Sequence, residues 1–138
     1  MRKLSLLLTL LISFSATSEE TISRWMADYF ERIHKHIANE NYEKAQAELV
    51  LGDTNYFRNG RTYEAALLYQ LYGQFYAVQS QYTNAIPWFE KALASQQMPR
   101  IGEQEVRFQL AQTYFMVGNY ENVVPLLEDF IEVGEKYK

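Results

Sequence analysis

Two histidines stand two residues apart in the stretch HKH, as His34 and His36, and three carboxylates crowd the stretch LEDFIE, as Glu128, Asp129 and Glu132. These are the side chains whose type and spacing could do chemistry. A histidine pair can hold a metal ion or move a proton, and paired carboxylates can serve as general acid and base. Neither idea survives if the local structure is a helix. Residues two apart on a helix point about 200° away from each other, so His34 and His36 cannot close on one ion. Glu128 and Glu132 do share a face, but acidic residues at that spacing are what a solvated helix surface presents. The chain has no cysteine, which excludes disulfides, thiolate metal sites and cysteine nucleophiles. It also has no glycine-rich phosphate loop, no HExxH pair and no nucleophile elbow. The sequence thus predicts no catalytic residue, no metal site and no cofactor, and a protein that is not an enzyme.

The elements that carry these residues are helices. With 48% hydrophobic and 15% aromatic residues against only 3 Pro and 6 Gly, the composition is that of a folded, helix-compatible domain. A short turn is written three times: NYEKA at Asn41–Ala45, QYTNA at Gln81–Ala85 and NYENV at Asn119–Val123. Its tyrosines, Tyr42, Tyr82 and Tyr120, are 40 and 38 residues apart. A period in this range marks a helical repeat array. Between the turns, Tyr69, Tyr72, Gly73 and Tyr76 recur three and four apart, as do Ala85, Phe89, Ala92 and Leu93. The pattern predicts six helices over Thr21–Asn39, Tyr42–Gly52, Thr62–Gln79, Tyr82–Gln97, Arg100–Val117 and Tyr120–Lys136, with a loop at Asp53–Gly60. Pro87 and Pro125 fall at equivalent places near the start of two of these helices, where a missing backbone donor costs least.

The second unit reads Tyr69-x2-Tyr72-Gly73-x2-Tyr76, then Ala85-x3-Phe89-x2-Ala92, with Pro99 after the helix. In this it resembles the tetratricopeptide repeat family. A looser third unit (Leu110, Ala111, Tyr114, then Val123, Leu127, Phe130) and a degenerate first unit (Tyr29, Ile33, His36, then Ala45, Leu49) stand in phase with it. The resemblance implies an all-α fold, a short right-handed superhelical array of about three helical hairpins, in units near 21–52, 62–97 and 100–136. It implies repeat-packing roles for Gly73, Tyr76, Ala85, Phe89, Ala92, Ala111 and Tyr114. It also implies a concave groove lined by the first helix of each hairpin. Those positions fall on Phe30, His34 and Ile37, on Gln70, Gln74 and Val78, and on Phe108, Gln112 and Phe115. Such a groove suits an extended or helical peptide with apolar anchors, unless Phe30, Phe108 and Phe115 simply pack against neighbouring helices. The last helix carries more apolar residues than one buried stripe requires. The surplus at Leu126, Leu127, Phe130 and Ile131 predicts a homodimer surface or a docking strip for a partner.

Arg2 and Lys3, the apolar run Leu4–Phe14 and the small residues Ala16-Thr17-Ser18 have the order of a secretory signal peptide. The run is too short to span a bilayer, which needs about 20 residues, so cleavage is the preferred reading over an anchor. Residues 1–18 are then a signal and 19–138 one repeat domain. Loss of the two basic residues takes the formal charge from −4 to −6. An acidic chain with no Lys/Arg cluster is unsuited to nucleic acid and to anionic lipid. The expected role is a non-catalytic periplasmic scaffold for a protein or peptide partner, without stable membrane insertion. The stretches LYGQFYAVQSQYTNAIPWFEKAL and VRFQLAQTYFMVGNYENVVPLLEDFI look like those of small periplasmic tetratricopeptide proteins accessory to TonB-type energy-coupled uptake. The alternative is a chaperone or assembly factor for envelope proteins or polysaccharide machinery; a cell-wall hydrolase is a remote third. The mature protein should begin at Glu19 and be recovered in the periplasmic fraction. Mass spectrometry that finds Met1 intact on cytosolic protein would overturn this.

Overall fold

The computed structural model describes residues 22–56 and 62–136, without the side chains of 54–56, 129, 130 and 133–136. The predicted signal peptide and the second half of the predicted loop at Asp53–Gly60 lie outside the described residues, and the first half of that loop, residues 53–56, is helical. The described residues form six helices and no strand: α1 (Arg24–Ala38), α2 (Tyr42–Tyr56), α3 (Tyr63–Val78), α4 (Tyr82–Ala94), α5 (Arg100–Met116) and α6 (Tyr120–Lys136). They pair as the hairpins α1–α2, α3–α4 and α5–α6, and the hairpins pack on one another through α2–α3 and α4–α5. The fold is an all-α array of helical hairpins.

The turn repeated in the sequence is one structure used three times. Each first helix runs into a residue of positive φ: Glu40 at 55°, Ser80 at 60° and Gly118 at 76°. The next backbone N–H then reaches back five residues. Asn41 donates to the His36 carbonyl at 2.8 Å, Gln81 to Tyr76 at 3.0 Å and Asn119 to Tyr114 at 2.9 Å. This Schellman closure satisfies carbonyls that a helix end would leave unpaired. It puts Glu40 and Ser80 in a left-handed conformation that only glycine, as at Gly118, adopts without steric cost. The polar residue after each left-handed one starts the next helix. The Asn41 and Gln81 carbonyls each accept a first helical bond, from Ala45 and Ala85, at 3.1 Å. Asn84 and Asn122 donate to the side chains of Gln81 and Asn119 at 3.2 and 3.0 Å.

The centre of the core is the contact between α3 and α4. A Cβ placed on Gly73 would lie 2.6 Å from ring atoms of Phe89, so the ring rests directly on the backbone of α3. Ala85, Phe89 and Ala92 are wholly buried, and Ala111 is buried in the next hairpin. Tyr76 and Tyr114 are half-buried and pack against this core. The first hairpin uses the same device with the partners exchanged. There the ring comes from the first helix, at Tyr29, and the glycine from the second, at Gly52. A Cβ on Gly52 would fall within 2.5 Å of the Tyr29 Cζ. The Tyr29 hydroxyl also donates to the Glu48 carbonyl at 2.7 Å. Gly52 is thus held inside a helix. α2 continues to Tyr56, past the predicted boundary, because this contact outweighs the weak helix propensity of the Gly-Asp-Thr-Asn run.

Other boundaries shift for local reasons. α4 stops at Ala94 rather than Gln97: the Ser95 hydroxyl turns back to the Ala92 carbonyl at 2.6 Å, and Gln96 takes φ 55°. α1 begins only at Arg24. The Ser23 N–H and hydroxyl just before it both donate to the Glu64 carboxylate, at 2.9 and 2.8 Å, which ties the start of the first hairpin to the second. Pro87 and Pro125 sit in the second turn of their helices, not the first, with their rings exposed.

The Gly73 contact gives a direct test. Gly73→Ala must displace Phe89 and should lower stability by about 1–3 kcal/mol, with Gly73→Leu worse. Adding Phe89→Leu to Gly73→Ala should recover part of that loss. Thermal melts followed by circular dichroism decide it, and an unchanged melting temperature in Gly73→Leu would show that the ring does not rest on the backbone.

Candidate protein-binding surface

The three turns set a common register. Counted back from Asn41, Gln81 and Asn119, the equivalent positions are Phe30, Gln70 and Phe108; His34, Gln74 and Gln112; and Ile37, Ala77 and Phe115. Phe30 and Gln70 are each 6% exposed, but Phe108 is 41% exposed. Ala77 is 8% exposed and Phe115 58%. The turn tyrosines repeat the trend. Tyr42 is half-buried, edge-on to Phe75 of the next hairpin at 6.3 Å between centroids, Tyr82 is half-buried, and Tyr120 is exposed. One position in the repeat is therefore buried or open according to whether another hairpin follows. Among the described residues none packs over the third.

This corrects the predicted groove at its first two hairpins. Phe30 is not a groove residue; it lies in the core with Met26, Tyr29 and Ile33. Gln70 and Gln74 are buried beneath α5, and both side-chain amides donate to one acceptor, Gln109 Oε1, at 3.1 and 3.4 Å. The Gln109 carbonyl in turn accepts from the Thr113 hydroxyl at 2.6 Å. Gln74 Oε1 is buried with no hydrogen-bond partner. The amides thus join hairpin to hairpin and do not face a ligand. Gln109 was not singled out by the sequence. Its one visible signal is a separation from Gln70 of nearly one repeat, 39 residues. His34, Ile37 and Gln112 are half-buried and Val78 is exposed.

The open residues gather on the third hairpin. On α5, Ile101, Phe108 and Phe115 are exposed and recur every seven residues, so they fall within about 40° of one another around the helix axis. On α6, Tyr120, Val124 and Ile131 are exposed and Leu127 is half-buried; these four span about 60°. Phe115 and Tyr120 meet edge to face across the turn, with centroids 5.4 Å apart, so the two stripes are continuous there. Within the predicted docking strip, Ile131 is exposed, Leu127 is half-buried, and Leu126 packs against the core. The side chain of Phe130 lies outside the described residues.

Several ionisable groups are committed to structure. Burial pushes the Tyr29 and Tyr72 phenols far above their ordinary range, and the nearby Asp53 charge adds to it, so both hydroxyls stay protonated. Burial and a hydrogen bond to Glu90 raise Tyr114 to about 12. Burial lowers the His34 pKa, leaving a neutral imidazole at pH 7. Trp88 stacks on Tyr72 at 4.1 Å, and the Lys91 ammonium sits 4.5 Å from the Tyr69 ring centre, so these rings are occupied with one another. Among the described residues no group of three or more His, Asp or Glu could hold a metal ion, and no helix is long and apolar enough to cross a membrane.

No family model, curated protein or solved structure matches this chain.

Exposure separates the glutamines from the rings in a measurable way. Gln109→Ala removes the acceptor shared by two buried amides and should cost about 1–3 kcal/mol. Phe108→Ser with Phe115→Ser alters open positions and should leave the melting temperature close to wild type. Urea titrations of both variants check this, and a large loss in the double Phe variant would place those rings in the core.

Proposed function

We propose that this protein is a non-catalytic scaffold, an array of tetratricopeptide-like hairpins that works outside the cytoplasm after loss of its signal peptide. It binds a protein partner through the open face of α5 and α6. The observation that carries this reading is the contrast at equivalent positions: Ala77 is buried and Tyr42 and Tyr82 are half-buried, while Phe115 and Tyr120 are exposed. An apolar face of two helices is costly to leave in water, and contiguous patches of that kind mark interaction sites.

The groove reading is weaker here, because two of its amides are already bonded to Gln109. A peptide lying along the array would have to break those bonds.

Site-specific photocrosslinking in cells separates the two surfaces. A photoreactive residue at Phe115 or Val124 should give discrete adducts with a partner protein. One at Lys44, exposed on α2, should give none. Equal labelling at all three positions, or adducts only from Gln112 and Val78 along the groove, would refute binding through the third hairpin.

A further inference from the structure

The open face also indicates what would cover it. In the first two hairpins several of the equivalent positions, Tyr42 and Gln70 among them, are covered by a helix of the next hairpin. α3 brings Phe75 against Tyr42, and α5 brings Gln109 over Gln70 and Gln74. The element that fits the same place on the third hairpin is therefore another helix. The α5 stripe runs from Ile101 to Phe115, fifteen residues with a rise of about 21 Å, so a helix of some four turns spans it.

The edges of the face give its charge. On α6, Glu121 and Glu128 are exposed and lie within about 20° of one another, in the sector next to Tyr120, Val124 and Ile131. They form an acidic margin along the side of the apolar stripe away from α5. On α5, Glu105 sits about 60° from Phe108 on the margin away from α6, half-buried. The basic Arg107 lies about 100° from Phe108 around α5, and its guanidinium donates to the Glu103 carboxylate at 2.8 Å. The face is thus apolar along its middle, with an acidic margin on α6.

We infer that the open face of α5 and α6 receives a basic amphipathic helix: four turns with an apolar stripe and Lys or Arg on its flanks, belonging to a partner protein. This rests on the reading of the third hairpin as the binding surface and adds the chemistry of what binds. The apolar residues supply the affinity, and the flanking charges select the partner and its direction. A second copy of this chain is a poorer occupant. It would bring its own acidic margin to the same interface, where like charges oppose association.

The test uses purified full-length protein and three synthetic eighteen-residue peptides. One is an amphipathic helix with a Leu stripe flanked by Lys, one has the same stripe flanked by Glu, and one is a scramble of the first with no helical stripe. Fluorescence anisotropy at low salt should show the Lys-flanked helix binding about five- to tenfold tighter than the Glu-flanked one, with the difference shrinking as salt screens it. The scramble should not bind. Glu121→Lys with Glu128→Lys should reverse the preference between the two helices, and Phe108→Ser with Val124→Ser should abolish binding of both. Circular dichroism confirms that each variant is folded. Equal affinity of the Lys and Glu helices overturns the charge assignment while leaving the third hairpin as the binding surface. Binding of the scramble as well as the helix, or of neither helix, overturns the helix assignment. A wild type that sediments as a dimer broken by Val124→Ser makes the second copy the occupant and overturns it too. Adducts found only in the groove would remove the underlying reading independently of these results.

Discussion

The array depends on how closely two helix backbones can approach. At Gly73 the absence of a side chain lets the Phe89 ring lie on α3 itself. Among the described residues α3 and α4 form the most extensive helix pair, and both neighbouring hairpins pack against it. α3 takes Tyr42 from the first hairpin on one side, and through Gln70 and Gln74 it holds α5 of the third on the other. The first hairpin has the same solution at Tyr29 and Gly52, with glycine and ring on opposite helices. What the first two hairpins share is therefore a physical relation, one ring against one bare backbone, rather than a residue at a fixed place.

The turns show a similar economy. Three closures of identical hydrogen-bond pattern are made with Glu40, Ser80 and Gly118 at the left-handed position. Glycine is the natural occupant, and the other two hold the conformation only because the surrounding helices are fixed by packing. Order in this chain flows from tertiary contact to local geometry as much as the reverse. This is expected of hairpins that cannot bury their apolar faces alone.

Stacking has a consequence for function. Each hairpin buries part of the face of the one before it, and among the described residues none packs over the last. The same residue position is core in two hairpins and surface in the third, and the surface one is aromatic. Polar bonding takes the opposite course. The glutamines that a repeat pattern would assign to a ligand are absorbed between hairpins, because a buried amide must find a partner and Gln109 provides one.

Much of the fold was legible in the residues. The period between Tyr42, Tyr82 and Tyr120, the small residues at Gly73 and Ala85, and the spacing of Phe89 and Ala92 are local facts. Helical periodicity turns them into hairpins without reference to the rest of the chain. The same periodicity says which residues share a face, and so it found the apolar excess on α6. It cannot say what covers a face, because burial depends on a helix some 40 residues away. For that reason Phe30 and Gln70 read like Phe108 in the sequence, and only the packing of α3 and α5 separates them. Gln109 was missed for the same reason: its partners come from another hairpin, and no spacing within α5 points to them. The sequence determined the repeat and its turns because these rest on contacts within one hairpin. The tertiary structure alone decided which repeat positions face water, because that is settled between hairpins.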